Sequence, residues 1–203
     1  MIGIVNLDIG NIRSVANAVY QLGFDYKIID SAQQFNEVSH IILPGVGYFS
    51  TAMEHAHNLQ LFKPLKEQVE HEQKPLLGIC LGMQLLLEHS EEGDTRGFGF
   101  IPGNATKFDS NSLRVPHIGW NNILLNQPHP VLSGIPDNTD YYFVHSYFCQ
   151  TDDKYTLAHT EYGNKYASII ARNNVIGTQF HPEKSQVNGL QILENFCDWD
   201  GQC

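Results

Sequence analysis

The first half of the chain alternates short apolar runs with segments of helical periodicity, and this alternation restricts the fold more than any other feature. Met1 to Leu7 predicts a strand, and apolar residues from Ile12 to Val19 recur at helical spacing before Gly23, which marks a helix end. Further strands are predicted at 24–29, 40–43 (ending at Pro44) and 75–79, with helices at 65–73 and 81–89. Such alternation predicts an α/β fold with a mainly parallel sheet covered on both faces.

The second half has a different texture. From about Ile101, short apolar or aromatic runs are separated by Asn, Asp, Gly and Pro, which predicts hairpins and an antiparallel extension of the same sheet. The predicted strands lie at 141–144, 155–159, 167–171 and 175–180, and a last helix at 187–196. No repeat or linker divides the chain, and a domain has about 100 to 200 residues. We therefore expect a single domain over 1–203.

Charge and hydropathy exclude several functions. The chain carries 12 Lys and Arg against 22 Asp and Glu, a formal charge of −10 that disfavours nucleic acid and membrane surfaces as partners. No basic segment precedes the first apolar residues, and no apolar run reaches the roughly 20 residues that cross a bilayer. We expect a soluble, cytoplasmic protein with reduced thiols, because its four cysteines show no C-x-x-C spacing.

One of the four cysteines occupies a distinctive pattern. Gly78-Ile79-Cys80-Leu81-Gly82 reads G-x-C-x-G where a predicted buried strand meets a predicted helix. This is the nucleophile-elbow arrangement with cysteine in place of serine, in which flanking glycines remove Cβ atoms that would clash. The helix N-terminus favours a thiolate. Cys80 is therefore the predicted nucleophile, whereas the others are predicted to be buried filler. These are Cys149, Cys197 and Cys203.

A base and its orienting acid are predicted near the end of the chain. His181 and Glu183 are one residue apart, so they point to the same side of an extended backbone, which Pro182 favours. A cysteine nucleophile needs such a pair. An isolated H-x-E can also be an exposed histidine beside a surface acid, or part of a zinc deaminase site. The P-C-x-x-C of those deaminases is absent, so no metal and no cofactor is predicted.

A glycine loop supplies the third element of the predicted site. Leu43 to Phe49 reads L-P-G-V-G-Y-F, and a strand ending this way leaves backbone N–H groups free at the carboxyl edge of the sheet. An oxyanion hole beside the elbow would lie there. Glycines on both sides of Val46 permit its peptide to flip, so we expect low activity until a partner docks. By itself the segment is a generic glycine loop.

Spaced motifs along the chain resemble the class I (triad) glutamine amidotransferases. The Cys80 motif continues to Gln84, and His181-Pro182-Glu183 follows about a hundred residues later. Within that family, PGVGYF (44–49), VPHIGWN (115–121), YFVHSY (142–147) and QFHPEKS (179–185) are similar to glutaminase subunits of imidazole glycerol phosphate synthase. The resemblance implies the family's three-layer α/β fold. Asp8 stands where these sequences often carry glycine.

The resemblance also implies a role for each matching residue. Cys80 would attack the side-chain carbonyl of L-glutamine, His181 would protonate departing ammonia and activate water, and Glu183 would hold the imidazole. Backbone amides of Val46 and Leu81 would form the oxyanion hole. The residues implied to bind glutamine are Gly45, Gly47, Gly82, Gln84, Glu92, His145, Ser146 and Tyr147. Alternatively, Gln84 and Glu92 are solvated polar residues of a helix and a loop, and Tyr147 is a core aromatic.

Finally, the resemblance implies a partner. This is a cyclase subunit with a (βα)8 barrel, in a 1:1 heterodimer, which uses the ammonia to make imidazole glycerol phosphate and AICAR in histidine biosynthesis. The absence of a Walker A or other nucleotide loop fits this division. Ile118-Gly119-Trp120, expected in a loop, is the candidate contact, unless Trp120 is buried in its own domain.

Three other functions remain open at this point. One is a paralogous glutaminase that supplies ammonia to amidinate a nucleotide sugar in surface-polysaccharide synthesis. The second is a cysteine peptidase or esterase, which shares the logic of a Cys-His-acid site. The third is a catalytically silent regulatory domain.

Overall fold

The computed structural model describes residues 1–202, so Cys203 lies outside the described residues. The strands are β1 (Ile2–Val5), β2 (Tyr26–Ile29), β3 (His40–Gly45), β4 (Leu76–Cys80), β5 (His89–Ser90), β6 (Thr95–Arg96), β7 (Asn104–Lys107), β8 (His117–Leu125), β9 (Thr139–His145), β10 (Tyr147–Gln150), β11 (Thr156–Tyr162), β12 (Asn164–Arg172) and β13 (Val175–Thr178). The α-helices are α1 (Ile12–Gln21), α2 (Phe49–Asn58), α3 (Phe62–Glu70), α4 (Leu81–Leu85) and α5 (Gln186–Asp198).

The strands form one sheet with a parallel centre. Its order starts β2-β1-β3-β4-β13, all parallel, and continues through β12, which is antiparallel to β13. Beyond β12 lie β10, β7, β5 and β6, while β11, β8 and β9 form an antiparallel branch. The prediction of a mainly parallel sheet with an antiparallel extension is therefore confirmed. The last strand, β13, lies directly beside β4, and this brings the two ends of the predicted site together.

Helices cover both faces of the parallel centre because strand side chains alternate between the faces. On one face, Ile4 and Ile42 pack with Val15 of α1 and Leu193 of α5 in one apolar cluster. On the opposite face, neighbouring strand residues such as Leu43 pack against α2 and α3 in a second cluster. Burial of each such side chain contributes about 1.5–3 kcal/mol. This is the expected three-layer arrangement.

The helix after Cys80 is much shorter than predicted. The leucine-rich run suggests a helix to His89, but α4 ends at Leu85. The carbonyls that would continue the helix accept bonds from the segment 98–101 instead: Leu85 O from Phe98 N at 2.8 Å and Leu86 O from Phe100 N at 2.9 Å. The run of leucines is apolar because it is buried on all sides, not because it lines one helix face.

Four other predictions need correction. VPHIGWN is not a loop, since its residues from His117 onward open the long strand β8. Helix α2 has no counterpart in the prediction, and α3 begins three residues early, at Phe62. Strand β3 continues through Pro44, which is tolerated because β3 pairs with β1 only as far as Ile42.

Within the described residues, no helix has the length and apolarity needed to span a membrane.

Candidate active site

Cys80 lies at a sharp turn between β4 and α4. Its φ is 56° and its ψ is −107°, a conformation that L residues rarely adopt, so the backbone is strained at the candidate nucleophile. A Cβ on Gly82 would stand 1.8 Å from Leu43 O, and one on Gly78 would stand 2.6 Å from Gly82 O. The two glycines are therefore required for α4 to approach the sheet so closely, as the elbow pattern predicts.

The candidate base is held by a short chain of hydrogen bonds. His181 Nδ1 lies 2.9 Å from Glu183 Oε1, and Asn11 Nδ2 donates to the same oxygen at 2.8 Å. Both side chains of the pair are shielded from solvent, with 1% of His181 and none of Glu183 exposed. Because a carboxylate only accepts, Nδ1 carries the proton when the ring is neutral, which leaves Nε2 as the basic nitrogen.

The charge state of His181 depends on its neighbours. Burial lowers its pKa, but negative charge on the adjoining Cys80 sulfur and the hydrogen-bonded carboxylate of Glu183 together raise it well above its ordinary value. Nε2 is buried and has no hydrogen-bond partner among the described residues. The imidazole is thus stabilised as a cation beside the candidate nucleophile, with one nitrogen free for proton transfer.

A pocket of about 430 Å³ opens beside the elbow. Most of the residues predicted for glutamine binding and for the oxyanion hole line it, together with Cys80. They are Val46, Gly47, Leu81, Gln84, Glu92, His145, Ser146 and Tyr147. Gly45, Gly82, His181 and Glu183 do not line it. The two glycines support the elbow and its neighbouring strand, and the His–Glu pair is buried.

The two residues predicted to supply the oxyanion donors lie side by side. Gly45 pairs with Cys80 across β3 and β4, so the next residues along, Val46 and Leu81, are neighbours beyond the strand ends. Leu81 is the first residue of α4, and its N–H therefore has no acceptor within the helix. Gly47 has φ +111°, a value that favours glycine.

Gln84 is not a solvated surface residue, and Glu92 is only partly exposed. Gln84 is buried, and its Nε2 donates to Tyr147 O at 2.9 Å. Glu92 Oε2 accepts from the N–H of Phe49 at 2.7 Å, at the N-terminus of α2. Burial raises the pKa of its carboxyl, opposed by the Phe49 N–H, which lowers it.

His145 belongs to a buried aromatic network behind the pocket. Its Nδ1 donates to Tyr147 O at 2.7 Å, and its Nε2 lies 3.2 Å from His117 Nδ1 and 3.3 Å from the hydroxyl of Tyr166. Burial lowers the pKa of His145 to about 3, so the ring is neutral and accepts at Nε2. The network fixes the strand end at 145–147 on the pocket wall.

Sequence reasoning missed several residues of the site. Pro116, Val144 and Lys184 line the pocket, Asn11 binds Glu183, and Gln179 contacts the Cys80 sulfur. Pro116, Val144, Gln179 and Lys184 lie inside the four motifs, and Asn11 lies shortly after Asp8. These positions are the only signal in the sequence that points to them. Asp8 itself is exposed with φ 55°, the left-handed conformation that explains glycine at this position in the family.

The remaining described thiols behave as predicted. Cys149 and Cys197 are buried, and burial raises the pKa of Cys197 to about 12 and that of Cys149 further still. Among residues 1–202, no group of three or more His, Cys, Asp or Glu side chains is placed to hold a metal ion. Ile118 and Trp120 are 59% and 49% exposed, so the tryptophan is not a core residue.

A nucleophile elbow on a three-layer α/β fold, with a His–Glu pair beside it, is the architecture of a triad amidotransferase. The model of the family "Glutamine amidotransferase class-I" matches residues 4–199. The chain belongs to this family and is an enzyme of that class. More particularly, it is 45% identical over 200 residues to imidazole glycerol phosphate synthase subunit HisH 2 of Vibrio vulnificus (strain YJ016), across 97% of this chain and 93% of that one.

Other relatives agree. The chain is 45% identical over 202 residues to imidazole glycerol phosphate synthase subunit HisH of Sulfurimonas denitrificans, with 97% of each chain covered. A crystal structure of a glutamine amidotransferase superposes with a TM-score of 0.76 at 18% identity, over 97% of this chain and 98% of that one. At this identity the likeness shows the fold alone.

Proposed function

We propose that this protein is the glutaminase subunit of an imidazole glycerol phosphate synthase. It hydrolyses L-glutamine to glutamate and ammonia, and ammonia passes to a cyclase subunit in histidine biosynthesis. One observation carries the proposal: Cys80, on a strained elbow, lines a pocket and adjoins an imidazole held by Glu183. The whole chain acts as one glutaminase domain in the cytoplasm.

The first half of the reaction transfers the acyl group. Cys80 Sγ attacks the side-chain carbonyl carbon of glutamine as a thiolate, its proton having already passed to Nε2 of His181. The carbonyl oxygen becomes an oxyanion, which accepts hydrogen bonds from the N–H groups of Leu81 and Val46. When the C–N bond breaks, the imidazolium gives its proton to the leaving nitrogen, so ammonia and a thioester result.

The second half releases glutamate. Neutral His181 takes a proton from water as the water attacks the thioester, and then returns a proton to the sulfur. Glu183 stabilises the imidazolium in both halves and holds the ring through Nδ1. The polar residues of the pocket, including Gln84 and Glu92, bind the amino-acid head group.

The partner binds over the mouth of the pocket, where apolar side chains are exposed. Tyr48 is 68% exposed and follows the Val46 loop. The ring of Trp120 contacts that of Tyr142, and Lys184 on the pocket wall lies over the same tyrosine. An exposed apolar surface continuous with a reactive pocket is typical of a docking face. A barrel-shaped cyclase in a 1:1 complex would close it and keep ammonia from water.

The test compares Cys80→Ala with wild type in the presence of the cyclase. We expect Cys80→Ala to abolish glutamate release while cyclisation still runs on added ammonium, since only the nucleophile is lost. Cys197→Ala, which removes a buried thiol from α5, is the matched control and should retain both activities. Glutamate release that survives in Cys80→Ala would exclude the proposed mechanism.

The exposed carboxylate of Asp8 favours one alternative. It adds a charge at the β1–α1 bend, close to the loop of Val46, where relatives often carry glycine, and so changes the surface offered to a partner. A paralogous glutaminase serving nucleotide-sugar amidination would fit the same chemistry. Isolation of the complex from the source cell and identification of its barrel subunit separates the two functions.

A further inference from the structure

Gln179 is a fully buried polar residue directly beside the candidate nucleophile. In the parallel pair of β13 and β4, Thr178 lies opposite Ile79, so the next residue on each strand brings Gln179 to Cys80. Gln179 Nε2 lies 4.0 Å from Cys80 Sγ, and none of its surface is exposed.

The neighbouring hydrogen bonds fix the orientation of the Gln179 amide. Gln84 Nε2 donates to Tyr147 O at 2.9 Å, and a carbonyl can only accept, so the NH₂ of Gln84 must point that way. The same NH₂ donates to Gln179 Oε1 at 3.3 Å. A flipped Gln179 would place two donors against each other. Its oxygen therefore faces Gln84, and its NH₂ faces the sulfur.

Outside the triad, one group accepts a hydrogen bond from the Cys80 thiol and one group donates a hydrogen bond to its sulfur. The thiol donates to Val144 O at 3.6 Å, a contact that stabilises the protonated form and opposes the thiolate. An N–H donor has the opposite effect, because it stabilises negative charge on sulfur. Gln179 supplies that donor to a sulfur whose residue is only 5% exposed.

We propose that Gln179 is a further catalytic residue, whose side-chain N–H groups stabilise the Cys80 thiolate and aim its sulfur, with Gln84 holding the amide in place. The proton of the thiol passes to His181 Nε2, and Gln179 exchanges no proton. This inference rests on the proposed function, since it takes Cys80 as the nucleophile. The charged and titratable groups near the sulfur stay unchanged in the variants below. They are His181, Glu183, His145, Glu92, Lys184, Tyr147, Tyr166 and Cys149.

Gln179→Met tests the proposal, because it keeps the length of the side chain and removes the donor. The readout is the rate at which iodoacetamide alkylates Cys80 in the full chain, followed by peptide mass spectrometry. The rate is measured from about pH 5 to about pH 10, a range that brackets the usual pKa of a thiol. We expect the half-maximal rate to move to higher pH, and the rate at neutral pH to fall about tenfold. With the cyclase bound, kcat should fall similarly while KM for glutamine changes little.

Two further variants sharpen the test. Gln68→Met on α3 replaces another buried glutamine, whose Oε1 has no partner, and should leave the alkylation profile unchanged. Gln179→Glu presents oxygen to the sulfur and should slow alkylation more than Gln179→Met does. If either Gln179 variant fails to fold, the test is an NMR titration of the wild-type chain. The side-chain amide ¹⁵N and ¹H resonances of Gln179 should shift as Cys80 is titrated.

The outcomes separate the two proposals. An alkylation profile of Gln179→Met that matches wild type overturns the role of Gln179, even if the variant melts at a lower temperature. Lost glutaminase activity with unchanged alkylation also overturns it, since that pattern indicates a binding or packing role. Wild-type protein that is alkylated at Cys80 but releases no glutamate with the cyclase overturns the proposed function, while the pH profile still decides the role of Gln179.

Discussion

At the scale of single residues, the candidate base depends on a side chain outside the Cys-His-Glu pattern. Glu183 Oε1 accepts from Asn11 Nδ2 and lies within hydrogen-bonding distance of His181 Nδ1. The other carboxylate oxygen, Oε2, is buried with no partner among the described residues. Asn11 thus fixes which oxygen serves the imidazole, and we infer that it positions the acid.

Asn11→Leu removes this donor at similar size. We expect kcat for glutamate formation, measured with the cyclase bound, to fall about tenfold to a hundredfold, because a hydrogen bond to a charged group contributes about 1.5–3 kcal/mol. KM should change little, since Asn11 does not line the pocket. Asn17→Leu, at an exposed position of α1, is the control. An unchanged kcat in Asn11→Leu would show that Glu183 is held without it.

At the scale of elements, the loop between β3 and α2 carries the predicted gate. Gly47 has φ +111°, and a Cβ built there would meet nothing within 4 Å. Gly47→Ala therefore introduces no clash, only a backbone cost of about 1–3 kcal/mol at this φ. The substitution tests whether the loop must change conformation when the partner docks.

Stimulation by the cyclase is the ratio of the rates of glutamate formation with and without it. We expect Gly47→Ala to reduce this ratio about tenfold, because alanine restricts the loop to fewer backbone conformations. Gly134→Ala is the matched control: its φ is +73°, it also has open space at Cβ, and it lies outside the pocket. The melting temperature of both variants should fall by a similar amount. Equal stimulation in both would argue against gating at this loop.

At the scale of the whole molecule, buried neutral histidines couple stability to pH. Burial lowers the pKa of His117 and of His129 to about 4, and that of His145 to about 3. The pKa of a histidine in the unfolded chain is about 6.5. At pH values between this pKa and the lower pKa values of the folded protein, the unfolded chain binds more protons than the native protein. The free energy of unfolding therefore falls as the pH drops from about 6.5 toward 4. His181 has the opposite shift, so its contribution is lost only as pH rises.

His129 offers the cleanest test because it lies outside the candidate site, against Trp199. Its Nδ1 accepts from the N–H of Val131, and asparagine at this position can also accept while it does not titrate. We expect His129→Asn to reduce the slope of unfolding free energy against pH by about 1.4 kcal/mol per pH unit between pH 6.5 and 4. Urea titrations at several pH values measure this slope.

His71→Asn, at an exposed position, is the control for that experiment. A slope in His129→Asn equal to that of wild type would mean that folding does not lower the pKa of His129. The same measurement on the complex would show whether partner binding adds to acid stability, because a ligand that binds only the native state raises the free energy of unfolding.

Local patterns predicted the chemistry that depends on neighbours in sequence. The glycines around Cys80 predict the elbow because the turn itself requires them, and His181 and Glu183 lie together because they are one residue apart. Local patterns failed where distant segments compete for the same backbone groups. Helix α4 stops at Leu85 because Phe98 and its neighbours take its carbonyl bonds, a competition that no window around Leu85 can reveal.

Local sequence patterns therefore predict the alternation of strands and helices, the strained elbow at Cys80 and the family. The surroundings of the Cys80 sulfur depend instead on contacts between segments that are distant in the chain. Asn11 meets Glu183 across 172 positions of chain, and Gln179 reaches Cys80 across 99, because the last strand inserts beside β4 in the parallel sheet. Periodicity and turn chemistry are local properties, whereas sheet order is set by the packing of the whole chain, and the environment of the candidate nucleophile depends on that order.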